Sequence, residues 1–211
     1  VACPICQKRK ADRLCPAKAE KICAICCGTE REVTLDCPPD CAYLLAAHRY
    51  EQQHPRPIPA GTPLLDVHLA PDLVRLHPQF LSALAFVIAK FSAGETAVTD
   101  TDVLAALQAL AETYKTLASG IVYEQPPVSS LRRALYDALS AFVNDTRQSP
   151  PQNPFGHPKD SEIFQLLVFL YRMGLLRTNG RSRSRRFIEF LRGQFPGAHE
   201  LKREEPRIIL P

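Results

Sequence analysis

From Pro71 onward, apolar residues return every three or four positions, the period of an amphipathic helix. Pro78 suits a first helical turn, and Phe80, Leu84, Val87, Ile88 and Phe91 then keep one face apolar until Gly94 ends the element. Thr99 or Asp100 caps a second helix, in which Val103, Leu104, Leu107, Leu110, Ala111, Tyr114 and Leu117 form a stripe that stops before Gly120. Leu131, Leu135, Ala138, Leu139 and Phe142 repeat the pattern after Pro126-Pro127. Ile163–Tyr171 is apolar almost all round, which predicts a helix in the middle of a bundle, with Gly174 near its end. Asn179-Gly180 marks a turn, and Phe187, Ile188, Phe190, Leu191 and Phe195 predict a fifth helix closed by Pro196-Gly197. The expected fold is mainly α, with a bundle of about five helices over residues 64–197 and a charged, then apolar, tail over 198–211.

The first fifty residues carry no such stripe. Their large hydrophobic residues are few (Ile5, Leu14, Ile22, Ile25, Val33 and Leu35), apart from a short helix expected after Cys41. A segment like this needs a metal to fold, at roughly 10 kcal/mol or more for each structural zinc. Residues 51–63 hold four prolines, which predict an extended spacer between a module at 1–50 and the bundle.

All eight cysteines fall between Cys3 and Cys41. They run Cys3-x2-Cys6, Cys15, Cys23-x2-Cys26-Cys27 and Cys37-x3-Cys41, the short knuckles that let two sulfurs reach one tetrahedral zinc. Two zinc ions are expected, coordinated by thiolates that leave no open position for catalysis. A disulfide framework and a reactive Cys27 with His48 as its base are the alternatives, and His48 also stands where a ligand could.

The spacing of the first five ligands resembles the B-box zinc module and, more loosely, the MYND and HIT-type fingers. In those families the sites are cross-braced, which would give one zinc to Cys3, Cys6, Cys23 and Cys26. Cys15 would open the second site. The chain departs from the B-box pattern at Lys18, where a ligand is expected, and Cys27 is the substitute, joined by Cys37 and Cys41. The Cys-Cys-Gly-Thr-Glu-Arg knuckle, with the later Gly-Ile-Val-Tyr-Glu and Asn-Gly-Arg stretches, looks like an uncharacterised bacterial family spanning nearly the whole chain. That resemblance brings no activity with it.

The formal charge is +4, and eight thiolates on two zinc ions would bring the holoprotein close to neutrality. Any case for nucleic acid is therefore local. It rests on Arg177, Arg181, Arg183, Arg185, Arg186 and Arg192, six arginines against Glu189 alone, which could meet phosphates or instead pair with Asp160, Glu162 or Glu112. Glycine-rich phosphate loops, His-Glu-x-x-His and Gly-x-Ser-x-Gly are missing, and the histidines are scattered. The expectation is a cytoplasmic, non-enzymatic zinc-binding adaptor or regulator with a protein partner. A nucleic-acid regulator using the arginines is the alternative, and neither a membrane nor a small-molecule substrate is expected.

Overall fold

The computed structural model describes residues 1–151 and 156–195. The expected tail at 198–211, and residues 152–155 of the proline-rich loop, lie outside the described residues.

Five long helices carry the fold: α4 (Pro78–Gly94), α5 (Asp100–Ala118), α6 (Ser130–Gln148), α7 (Asp160–Arg177) and α8 (Arg186–Gln194), preceded by a single turn, α3 (Leu73–Leu76). Local signals set their ends. Pro78 occupies the first turn of α4, where its missing N–H costs nothing. Thr99 and Asp102 form a capping box at the start of α5. Gly120, at φ +78°, takes the left-handed backbone just past its end.

Helix α7 is the central element. Ile163, Leu166, Leu167, Val168, Leu170 and Tyr171 are all buried, and α7 packs against α3, α4, α5 and α8. Gly174 does not end this helix, which runs on to Arg177. A methyl group there would come within 2.8 Å of Leu104 Cδ2 and 2.9 Å of the Phe187 ring, so the missing side chain lets α5 and α8 close onto α7. Leu64 and Leu73 are buried against the same core, with Val67 and Leu69 partly so, and Arg172 of α7 donates to the carbonyls of Leu64 and Val67.

A separate small core lies in the amino-terminal module, built from Cys3, Ala11, Cys15, Ile22, Cys23, Cys26, Cys27 and Leu35. Its elements are a hairpin of β1 (Arg13–Cys15) and β2 (Glu20–Ile22), the short helix α1 (Ala24–Glu30) and the longer α2 (Ala42–Gln53). The hairpin pairs Arg13 with Ile22, Leu14 with Lys21 and Cys15 with Glu20, so Cys15 and Ile22 turn inward while Leu14 and Lys21 face out. Arg13 stacks its guanidinium 4.7 Å from the ring centre of Tyr43, tying α2 to the hairpin. No helix among the described residues is long and apolar enough to cross a membrane.

Candidate metal centre

The first cysteine knuckle is a tight turn. Gln7 N–H donates to the Cys3 carbonyl at 2.7 Å, and Cys3 N–H donates to the Arg9 carbonyl at 2.8 Å. Gln7 closes the turn at φ 54°, a conformation that costs a residue with a Cβ about 1–2 kcal/mol. The second knuckle is the start of α1. Cys23 is its N-cap, and the Cys23 sulfur accepts from the Cys26 N–H at 3.4 Å. The Cys23 N–H in turn donates to the Cys3 sulfur at 3.3 Å, which locks the two knuckles together.

This places the sulfurs of Cys3, Cys6, Cys23 and Cys26 within 4.8 Å of one another, with Cys6 and Cys23 3.9 Å apart. A tetrahedral ion with metal–sulfur bonds of about 2.3 Å needs sulfur–sulfur edges of about 3.8 Å. The donor set fits a metal in number, spacing and softness.

The thiols are already polarised for that task. Backbone N–H groups of Lys8 and Arg9 bring the Cys6 thiol down to about 6. Burial raises the Cys3 thiol, but hydrogen bonds from the backbone of Cys23, Cys6 and Ile5 outweigh it and leave it lowered. Burial, then the neighbouring sulfurs of Cys23, Cys6 and Cys3, pushes Cys26 up to about 12. Four sulfurs this close cannot all ionise alone, and a bound dication removes that conflict.

All eight cysteines are free thiols. Cys15 and Cys27 are buried in the module core, whereas Cys37 and Cys41 are half-buried. Burial raises the Cys37 thiol, and the charges of Cys41, Cys15 and Glu32 raise it further, so these groups share one neighbourhood. Among the described residues, Cys15, Cys27, Cys37 and Cys41 are not drawn into a cluster as close as the first four. His48 has a different role. It is buried on α2, and its Nε2 lies 3.3 Å from both Glu32 carboxylate oxygens.

The arginines turn toward the module. In the loop between α7 and α8, Arg181 donates to the carbonyls of Gly28 at 3.0 Å, in the last turn of α1, and of Arg31 at 2.5 Å, at its C-cap. Arg185 pairs with Asp36 at 2.7 Å and also donates to the carbonyls of Thr96 and Val98. Arg186 forms a half-buried ion pair with Glu51 at 3.0 Å. Arg183 uses its backbone N–H on the Glu32 carbonyl at 2.9 Å, and Ser182 donates to the Val33 carbonyl. Arg177 instead lies over the Phe190 ring, 3.6 Å from its centre, and Arg192 lies on α8. The acids suggested as partners serve elsewhere: Asp160 with Arg147, Glu162 with His77, and Glu112 with Lys115.

At the centre of this clasp is a buried polar network that the sequence reading missed. Asn179 donates from Nδ2 to Glu32 at 2.7 Å and to Glu51 at 3.3 Å, and its Oδ1 accepts from the Arg181 N–H. Glu32 is only 4% exposed. Its burial would raise its carboxyl, but hydrogen bonds from His48 and Asn179 hold it below the ordinary value. Asp100 anchors the loop from the other side, accepting from Ser184 Oγ and from the N–H groups of Phe187 and Ile188. Asn179-Gly180 signals a turn in the sequence, but no local pattern points to partners 147 residues away.

Net positive charge is concentrated in one stretch of the module, residues 8–21. Lys8, Arg9, Lys10, Arg13, Lys18 and Lys21 stand against Asp12 and Glu20, and the rest of the chain holds twenty basic and twenty acidic residues. All six except the half-buried Arg13 are exposed. Comparison with protein-family models, curated proteins and solved structures finds no match, so the centre is read from its own geometry: four convergent cysteines able to hold one metal ion.

Proposed function

We propose that this chain is a non-enzymatic, zinc-stabilised adaptor, whose cysteine-rich module presents a recognition surface held against a helical bundle. The observation that carries this reading is the closed four-sulfur site of Cys3, Cys6, Cys23 and Cys26. Four thiolates complete a tetrahedral zinc and leave no position for water or substrate, so the metal fixes a surface and performs no chemistry. Zinc is a redox-inert ion that suits such a soft tetrahedral set and would hold the surface rigid. A second zinc is assigned to Cys15 and Cys27, which belong to the same small core, Cys37, which packs on it, and Cys41, whose charge reaches Cys37.

The face offered to a partner is basic, from Lys8 to Lys21, with Leu14 exposed beside Lys21 on the outer side of the hairpin. It fits an acidic protein surface with an apolar contact at its middle. Nucleic acid is the second reading, and it now rests on this face rather than on the arginine loop, because Arg181, Arg185 and Arg186 are engaged within the chain.

The test is capture from native extract with the full chain as bait, before and after nuclease treatment. Lys8, Lys10 and Lys21 changed together to Glu should abolish capture while zinc content stays at the wild-type level. Nuclease-sensitive capture would give the face to nucleic acid. Capture untouched by charge reversal would remove it as the recognition surface.

A further inference from the structure

A cleft of 1210 Å³ opens where the proline-rich spacer passes over the far end of α7. One wall comes from the end of α2 and residues 54–62, the other from the carboxy-terminal half of α7, the turn at 178–180 and the start of α8. Its lining is apolar and aromatic at Ile58, Leu69, Leu104, Phe169, Met173 and Phe190. The volume exceeds the roughly 300–1,000 Å³ typical of small-molecule sites.

The charges in this cleft do not balance. Arg186 and Glu51 neutralise one another. Three further guanidinium groups, Arg56, Arg172 and Arg177, have no carboxylate partner among the described residues. Arg56 donates to the Asn179 carbonyl at 3.4 Å, and Arg172 to the carbonyls of Leu64 and Val67. Arg177 is stacked on Phe190. Carbonyls and a ring face orient a guanidinium but leave its charge in place, and each still has N–H donors to offer. Glu189 is the one other acid in the lining, and burial raises its carboxyl, which weakens it as a counter-charge.

From this pairing of unneutralised guanidinium groups with an apolar and aromatic wall, we infer that the cleft is a binding site for a small amphiphilic anion. Its ligand carries an apolar body with a carboxylate or phosphate head. The body lies over Phe169, Met173 and Leu104, and the head meets Arg177 and Arg172. The site is independent of the metal centre and of the basic face of the module.

The full zinc-loaded chain is titrated with anilinonaphthalenesulfonate, whose fluorescence rises in an apolar site. Dodecanoate, dodecyl phosphate and uncharged dodecanol serve as competitors. Saturable binding of one probe per chain is expected, displaced by both anions and not by dodecanol, which separates charge recognition from simple apolar uptake. A stronger effect of one anion identifies the head group. Arg177→Gln should weaken the probe about tenfold, the loss of one charge-assisted contact. Ile58→Glu, a change at a half-buried spacer position, should abolish binding with zinc content and thermal unfolding unchanged. Equal displacement by dodecanol, full binding by both variants, or no binding of any probe up to its solubility would overturn the assignment.

Discussion

Replacing Asn179 by alanine strikes the clasp at a buried point where three of its members meet. The side chain donates to the Glu32 carboxylate at 2.7 Å and to the Glu51 carboxylate at 3.3 Å. A hydrogen bond to a charged group contributes about 1.5–3 kcal/mol, and the longer bond belongs at the bottom of that range. Glu32 would keep His48 but lose its strongest donor inside a 4% exposed site, so the expected loss is about 3 kcal/mol. Asn179→Asp is nearly isosteric, yet it places a third carboxylate against Glu32 and Glu51. Two like charges about 4 Å apart repel by about 4 kcal/mol at an effective dielectric of 20, so aspartate should be the worse change at neutral pH. The assay is urea unfolding of the zinc-loaded chain, followed by far-ultraviolet circular dichroism and by transfer of zinc to a chromophoric chelator. With a urea slope of about 2 kcal/mol per molar, alanine should lower the midpoint by about 1.5 M. Both probes should shift together, because the clasp joins module and bundle. A shift below about 0.3 M for alanine, or an aspartate variant as stable as wild type at pH 7, would refute a load-sharing role for this network.

Metal analysis of protein purified without added zinc should give two ions per chain; one ion with four titratable thiols would free Cys15, Cys27, Cys37 and Cys41. Cys27→Ala should cost one zinc and His48→Ala none, since His48 faces Glu32; the reverse pattern would make His48 the ligand. Gly174→Ala gains about 1 kcal/mol of helix propensity but meets Leu104 and Phe187 inside 3 Å, an overpacking cost of about 1–3 kcal/mol. It should therefore lower the melting temperature, whereas Gly193→Ala on α8, with open space around it, should not. Burial raises the Asp100 carboxyl above its ordinary value of 3.8, so between that value and its folded one the native state holds the extra proton. The contribution of Asp100 is therefore most favourable at low pH and falls as pH rises through that window. Asp100→Asn should gain on wild type in denaturant midpoints as pH rises above about 4, the ordinary range of an aspartate, and a difference constant with pH would contradict the assignment.

The helix ends were legible because their causes are local. Pro78 fits only a first turn, Thr99 finds its capping partner three residues on, and Gly120 takes a backbone few other residues accept. The four-cysteine cluster was legible because two knuckles announce themselves by spacing and the cross-bracing of the resembled families joins Cys3 and Cys6 to Cys23 and Cys26. Gly174 shows where local reading fails. The sequence places it only near the end of a helix, whereas its cause is the approach of α5 and α8. For the arginines between α7 and α8, the sequence offered phosphates or the acids Asp160, Glu162 and Glu112, and it missed the actual partners for the same reason. Their partners at Gly28, Arg31, Asp36 and Glu51 lie about 135 to 153 residues away, and no window along the chain contains both.

The clasp also decides how the molecule would carry a pulling force. Held at residues 1 and 195, the chain offers tension two routes from the module to α8. The covalent route runs through the proline spacer and every helix from α3 to α7. The short route crosses from Glu32, Asp36 and Glu51 directly into Asn179, Arg185 and Arg186. While those contacts hold, the bundle is bypassed. The first rupture should release the module from the loop, and only a second, longer extension should reach the core around α7.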